Sequence, residues 1–159
     1  MILIAGVGNI FMGDDAFGSE VTRRLAERTS LGVRVVDFGI RGLDLAFALM
    51  DEYEATIIVD ATSRGGEPGT IYVIDPDLSK LDNMAAALDT HSLDPLRALA
   101  LARSMGAKLK NIRLVGCEPA TFEPADEGSP GLSRNVAAAV DPAIDVINSL
   151  IQGIAAERP

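Results

Sequence analysis

The sequence is poor in the residue types on which several kinds of site depend. It contains one cysteine, Cys117, one histidine, His91, and no tryptophan. A single cysteine excludes an intramolecular disulfide and a cysteine-rich zinc site, and a single histidine excludes any mechanism that needs two imidazoles. Lysine and arginine total 14 against 23 aspartates and glutamates, a net charge of −9. Because binding to phosphates needs clustered basic side chains, this balance argues against a nucleic-acid partner.

Long apolar runs are also missing from the sequence. No segment approaches the roughly 18 apolar residues of a membrane span. The apolar stretch at residues 2–7 lacks a basic leader and is broken at Gly8 and Asn9. It is therefore predicted to be a buried strand rather than a signal peptide. We expect a cytoplasmic protein that does not engage a membrane.

The length of 159 residues suits one domain, residues 1–159, with a substantial core. Short β-rich runs alternate with helical patterns. The predicted strands are residues 2–7, 33–36, 56–59, 70–74 and 111–115; the predicted helices are residues 16–29, 42–51, 93–105 and a last one from an N-cap at Ser133 towards Gly153, with Pro142 as a candidate interruption. This alternation predicts a three-layer α/β sandwich, with a mostly parallel five-stranded sheet and helices on both faces, as in phosphorylase- and hydrolase-like folds.

Polar residues stand at three points where strands end or helices begin, which is where open α/β sheets bind ligands. Asp14 and Asp15 close the turn after the first strand, Asp60 follows residues 56–59, and His91 precedes the third helix. If the first and third strands are neighbours, Asp15, Asp60 and His91 emerge at one edge. Two carboxylates and one imidazole suit a borderline divalent cation. The same two aspartates without a metal could share a proton as an acid/base dyad.

Simpler interpretations exist for the same residues. Asp14 or Asp15 would cap the next helix, because carboxylates favour a helix N-terminus. The start Gly6-Val7-Gly8 resembles a dinucleotide fingerprint. However, Phe11 occupies the position of its third glycine, and two carboxylates would repel a pyrophosphate. Binding of NAD or FAD is therefore not expected.

Five blocks in order along the chain carry a family resemblance. They are Gly6-Val7-Gly8-Asn9 through Asp14-Asp15 to Gly18, Ile58-Val59-Asp60-Ala61-Thr62, Thr90-His91-Ser92, Gly116-Cys117-Glu118-Pro119 with Glu123-Pro124, and Gly131-Leu132-Ser133. In these blocks the sequence resembles the hydrogenase maturation endopeptidases, proteases that remove a C-terminal extension from the nickel-containing large subunit of nickel-iron hydrogenases.

The resemblance implies an endopeptidase whose partner is the nickel-loaded large-subunit precursor. It further implies that Asp15, Asp60 and His91 bind the nickel carried by that precursor, so that the metal marks the mature substrate; another divalent ion could substitute. Asp15 and Asp60 are the candidate catalytic residues. Whether they only bind metal or also activate water is left open by the residues.

One segment departs from the family pattern. Where the family usually has Asp-Gly-Gly-Thr after the second strand, this chain has Asp37-Phe38-Gly39-Ile40, followed by Arg41. A small polar turn has thus become bulky and basic. One hypothesis is that Arg41 and Arg64 bind carboxylates of the substrate's tail through bidentate pairing. The alternative is that both are solvated surface residues.

Two other functions would use this chain differently. A metal-binding chaperone or assembly module of the same fold would hold the ion without cleaving a substrate. A peptidyl-tRNA hydrolase-like esterase can also begin with a Gly-x-Gly-Asn strand exit, but it needs a basic surface and a histidine soon after the asparagine.

Cys117 is expected to be a core thiol rather than a nucleophile.

Overall fold

The computed structural model describes residues 1–28, 30–83, 94–124 and 131–159. Within these ranges, each segment predicted from the sequence forms the predicted type of element. In chain order they are β1 (Ile2–Val7), α1 (Phe17–Ala26), β2 (Val33–Gly39), α2 (Gly42–Ala48), β3 (Ala55–Ala61), β4 (Ile71–Ile74), α3 (Pro95–Ser104), β5 (Ile112–Cys117) and α4 (Arg134–Ala156). Short 3₁₀ helices at Gly13–Ala16 and Leu78–Asn83 precede α1 and α3.

The five strands form one sheet in the order β2-β1-β3-β5-β4. The first four strands of that order are mutually parallel, and only β4 runs antiparallel, against β5. β1 is central, since Ile4 is paired with Val35 on one side and with Ile57 on the other. The prediction of a mostly parallel sheet is confirmed, and β1 and β3 are neighbours whose carboxyl ends share an edge.

Helices cover both faces of the sheet. Ile2 and Ile4 of β1 pack in a core cluster with α1 and α4, while Leu3 and Ala5 pack in a second cluster with α2 and α3. Every residue of β1 is consequently buried, which explains why its sequence is apolar without alternation. This confirms the predicted three-layer sandwich.

Among the described helices, none is long and apolar enough to cross a membrane.

Gly18 allows α1 to lie directly against the sheet. A Cβ added there would overlap the carbonyl oxygen of Val59 and would lie 2.5 Å from that of Val7. The first turn of α1 therefore contacts the backbone of β1 and β3 near the carboxyl ends of both strands. Because Asp15 is only three positions earlier, this contact also places the acidic turn against the sheet edge.

Of the two expectations about α4, the N-cap position of Ser133 is confirmed and the interruption at Pro142 is wrong. Ser133 occupies the N-cap position, but its side chain makes no capping hydrogen bond and donates instead to the carboxylate of Asp14. Pro142 lies inside α4, which is continuous from Arg134 to Ala156. Pro142 and Ala138, whose carbonyl lacks the usual partner because of the proline, are both exposed. Water can therefore satisfy that carbonyl, and the helix is not broken.

Two glycine-to-alanine substitutions in helices test the close packing of α1. We expect Gly18→Ala to lower the free energy of unfolding by about 3 kcal/mol, the upper end of the usual range for overpacking. In the control, Gly153→Ala in α4, the added Cβ meets nothing within 4 Å. It should raise the free energy of unfolding by about 0.5–1 kcal/mol through helix propensity. Urea unfolding followed by circular dichroism measures both, and changes of the same sign would contradict the assignment.

Candidate active site

A cleft of about 340 Å³ opens at the carboxyl edge of the sheet. Its lining comes from the ends of β1, β2 and β3, the turn before α1, and the start of α3: Val7, Gly8, Asn9, Asp15, Gly39, Ile40, Asp60, Asp94, Pro95 and Arg97. The structure thus brings Asp15 and Asp60 into one cleft, as the sequence predicts for neighbouring first and third strands.

Asp15 is positioned by the backbone of the turn that follows β1. One of its carboxylate oxygens accepts a hydrogen bond from the backbone N–H of Asn9 at 2.8 Å. Gly8 has a φ of 130°, and a Cβ at that position would overlap the carbonyl oxygen of Asp15. A residue with a side chain is therefore excluded at Gly8 both by the backbone conformation and by the lack of space.

Asp60 is the most perturbed carboxyl group of the cleft. Its Oδ1 is buried and has no hydrogen-bond partner among the described residues. Burial, the charge of Asp15 and, to a lesser extent, that of Asp94 together raise the pKa of Asp60 from 3.8 to about 8, against the opposing effect of the backbone N–H of Ala61. Asp60 therefore carries a proton at neutral pH when no cation is bound.

The two carboxyl groups suit the chemistry expected of them. A buried carboxylate oxygen without a partner is unfavourable unless a cation or a proton satisfies it. Asp60 provides such an oxygen, and Asp15 provides a second carboxylate in the same cleft. The pair can therefore bind a divalent cation or share a proton, the two alternatives left open by the sequence.

The third predicted ligand, His91, lies outside the described residues, within 84–93, and its place in the site remains a prediction. Over the described ranges, no group of three His, Cys, Asp or Glu side chains is arranged to hold a metal ion. The chain re-enters the described part at Asp94 and Pro95, both of which line the cleft.

Sequence reasoning missed the contribution of α3 to the cleft. Asp94 is the N-cap of α3, and its carboxylate accepts the backbone N–H of Arg97 at 2.9 Å. The Nε of Arg97 lies 4.0 Å from the same carboxylate. The sequence did contain a signal for this helix start, because Asp followed by Pro before an apolar helix is a typical pair for the N-cap and N1 positions. It would have placed a third carboxyl group at the helix start, close to His91 in the sequence.

Asp14 has a structural role that helix capping does not describe. Its side chain is fully buried. It accepts four hydrogen bonds of 2.6–3.1 Å, from the backbone N–H groups of Ala120, Thr121 and Ser133 and from the Ser133 hydroxyl. Neither Asp14 nor Asp15 makes a side-chain capping bond to α1, so the capping interpretation is wrong. Asp14 instead joins the turn after β1 to the loop after β5 and to the start of α4.

Arg41 and Arg64 do not line the cleft that contains Asp15 and Asp60. The guanidinium of Arg41 donates to two backbone carbonyls of its own turn and lies 3.3 Å from a carboxylate oxygen of Asp44. The guanidinium carbon of Arg64 lies 5.5 Å from the centroid of the Tyr72 ring. Both guanidinium groups therefore have contacts within the chain, and the hypothesis that they bind substrate carboxylates stays a prediction.

Cys117 is confirmed as a core thiol. It is fully buried at the end of β5, and its Sγ donates to the Glu118 carbonyl at 3.7 Å. Burial, reinforced by the charges of Asp14 and Glu118, raises the pKa of Cys117 to about 12. Thiolate, the nucleophilic form of cysteine, is therefore not formed near neutral pH.

Comparison with known proteins agrees with the motifs. The family model described as hydrogenase maturation protease matches residues 18–150. A Methanocaldococcus jannaschii protein whose name places it among these proteases is 39% identical over 150 residues, covering 92% of this chain and 93% of that protein. The crystal structure of a hydrogenase 2 maturation peptidase from a Thaumarchaeota archaeon matches with a TM-score of 0.72 and 32% identity, covering 95% of this chain and 97% of that one. The Escherichia coli hydrogenase maturating endopeptidase HybD matches with a TM-score of 0.73 and 28% identity, over 96% and 92% of the two chains.

Removal of the Asp14 carboxylate is expected to destabilise the fold. Asp14→Ala leaves three N–H groups and one hydroxyl without their acceptor, and we expect the free energy of unfolding to fall by about 2–4 kcal/mol. The matched control is Asp15→Ala, which removes one hydrogen bond, the one from the Asn9 N–H. It should change the free energy of unfolding by less than about 1 kcal/mol. Urea unfolding of both variants measures this difference, and equal losses would contradict the role assigned to Asp14.

The raised pKa of Asp60 predicts a pH-dependent stability of the metal-free protein. Between pH 3.8 and about 8 the folded state keeps a proton that the unfolded state releases, so stability should fall as pH rises through this range. The side chain of Asp60→Asn does not ionise. The free energy of unfolding of this variant should therefore rise with pH when the value for the unmodified chain is subtracted.

The measurement is urea unfolding in the presence of a chelator at about pH 5, 7 and 9. The control is Asp145→Asn, at an exposed position of α4, which should follow the pH dependence of the unmodified chain. If the free energy of unfolding changes with pH by the same amount in Asp60→Asn and in the unmodified chain, the ionisation is wrongly assigned to Asp60.

Proposed function

This chain belongs to the hydrogenase maturation protease family, and on that premise we propose that it removes the C-terminal extension of a hydrogenase large-subunit precursor after nickel insertion. As a member of that family it is a peptidase, which sets aside the esterase alternative. The observation that carries the proposal is the cleft that holds Asp15 and Asp60, where one buried oxygen of Asp60 has no partner among the described residues. The proposed site of action is the cytoplasm.

Nickel is part of the substrate in this proposal. Asp15 and Asp60 would bind the ion carried by the precursor, with His91 as the third ligand. Binding requires Asp60 to lose its proton, and a nearby divalent charge favours that loss because it stabilises the carboxylate. A precursor without nickel would meet a protonated, uncharged Asp60 and would gain no such interaction. This difference is the physical basis proposed for selecting the loaded precursor.

The same residues have a defined capacity for proton transfer. Asp15 is held through one carboxylate oxygen by the N–H of Asn9, and Asp60 is held at the end of a central strand. Each can accept a proton from a water molecule in the cleft once it is ionised. The proposal assigns recognition of the substrate to both residues, and activation of water to this pair of carboxylates. A chaperone that only binds the precursor would show the first property without the second.

The proposal is tested by incubating the purified chain with nickel-loaded and nickel-free precursor and measuring the mass of the large subunit. Loss of one defined C-terminal peptide is expected only with nickel. Asp15→Asn and Asp60→Asn should each lower the cleavage rate at least about a hundredfold, the usual contribution of a general acid or base. Asp145→Asn should cleave normally.

Co-purification of each variant with the loaded precursor separates the two roles. A variant that binds but does not cleave has lost activation of water, whereas a variant that does not bind has lost recognition. Cleavage that is equally fast without nickel would overturn the recognition step. Cleavage that persists in the Asp15→Asn, Asp60→Asn double variant would overturn the assignment of both residues, and binding by the unmodified chain without any cleavage would favour the chaperone.

A further inference from the structure

A patch of exposed apolar side chains lies beside the cleft. We call Ile10, Phe11 and Ile40 the apolar patch; Phe11 and Ile40 are each 75% exposed, and Ile10 is 55% exposed. Large apolar side chains grouped at a protein surface are typical of a binding site.

The patch borders a groove that is continuous with the cleft. This groove, of about 450 Å³, lies between the turn after β1 and the turn after β2, and its lining includes Ile10, Phe11, Phe38 and Ile40. The groove and the cleft share Gly8, Asn9, Gly39 and Ile40 as lining residues. A molecule that occupies the cleft therefore has the groove as its adjoining surface.

Hydrogen bonds hold the turn after β1 in the conformation that exposes its apolar side chains. The side-chain oxygen of Asn9 accepts the N–H of Phe11 at 2.9 Å, and the carbonyl of Asn9 accepts the N–H of Met12 at 3.1 Å. Ile10 and Phe11 thus stand on an ordered turn. An ordered binding surface loses less conformational entropy when a partner binds than a flexible one does.

The charged residues of the groove already have partners within the chain. The Asp37 carboxylate accepts hydrogen bonds from the Ser19 hydroxyl and the Gly39 N–H, both at 2.9 Å. The Arg41 guanidinium donates to carbonyls of its own turn at 2.7 and 3.2 Å. The groove therefore presents mainly apolar surface to a partner. Such a surface suits apolar side chains of a substrate better than charged ones.

We propose that the groove and the apolar patch bind an apolar segment of the substrate polypeptide immediately beside the cleaved bond. The proposal rests on the proposed function, because it takes the cleft as the place of cleavage. An extended chain covers about 3.3 Å per residue. Residues within about five positions of the cleaved bond can therefore reach from the cleft into the groove. The patch is thus a determinant of substrate specificity.

Kinetics of precursor cleavage test this proposal. Phe11→Ser with Ile40→Ser should lower kcat/KM at least about tenfold, through a higher KM with kcat nearly unchanged, because apolar contacts that form on binding are lost. The matched control is Leu31→Ser. Leu31 is a fully exposed leucine that precedes β2, at the opposite end of that strand from the groove, and its variant should retain the full kcat/KM.

Failure of this inference is distinct from failure of the proposed function. If the unmodified chain does not cleave the precursor, the proposed function is wrong. If the unmodified chain cleaves and the double variant cleaves with the same KM, only the groove proposal is overturned. Because both substituted residues are exposed, the unfolding midpoint should not change, and this is checked by circular dichroism.

Photo-crosslinking identifies the occupant directly. A benzoylphenylalanine introduced in place of Phe11 should form an adduct with the nickel-loaded precursor within about five residues of the cleaved bond, and the same group in place of Leu31 should form none. An adduct only with a second copy of this chain, together with a dimer in sedimentation, would reassign the patch to self-association. An adduct with a distant part of the precursor would also overturn the proposal.

Discussion

The parallel pairing of β1 with β3 is the constraint on which the candidate site depends. Both strands are buried and central, and both end at the same edge of the sheet. Gly18 allows α1 to contact the backbone at the ends of these strands. Asp15 and Asp60, which are distant in the sequence, therefore enter one cleft without any direct bond between them. Any change that moves α1 away from the sheet edge would also move Asp15.

The electrostatics of the cleft indicate that the carboxyl group of Asp60 is not optimised for the stability of the free protein. The Oδ1 of Asp60 is buried, the Asp15 carboxylate lies in the same cleft, and both effects oppose the ionisation of Asp60. A group placed in this way lowers the stability of the folded chain as pH rises, unless a cation is bound. Functional sites commonly depart from what stability alone would favour. The unsatisfied oxygen of Asp60 is such a departure, and it fits a substrate that brings its own cation.

Asp14 and Asp15 show how neighbouring residues of one type can differ in role. Asp14 is fully buried and has four donors, whereas Asp15 has one backbone donor and lines the cleft. Asp14 compensates for its burial with hydrogen bonds to two other segments, and so it fixes the turn that carries Asp15. The aspartate of the candidate site is thus held in place by the structural one that precedes it.

Local patterns in the sequence were sufficient to determine the order and type of the strands and helices, because apolar runs and helical periodicity depend on near neighbours. They also singled out Asp15 and Asp60, since carboxylates near the carboxyl ends of parallel strands lie where open α/β sheets bind ligands. The roles of Asp14 and Ser133 could not be predicted in this way, because they contact each other across 119 positions of the chain. The entry of Asp94 into the cleft and the exposure of Phe11 and Ile40 likewise depend on how separate loops converge. Only the tertiary structure decided them, since burial and hydrogen bonding between distant segments exist only once the sheet has formed.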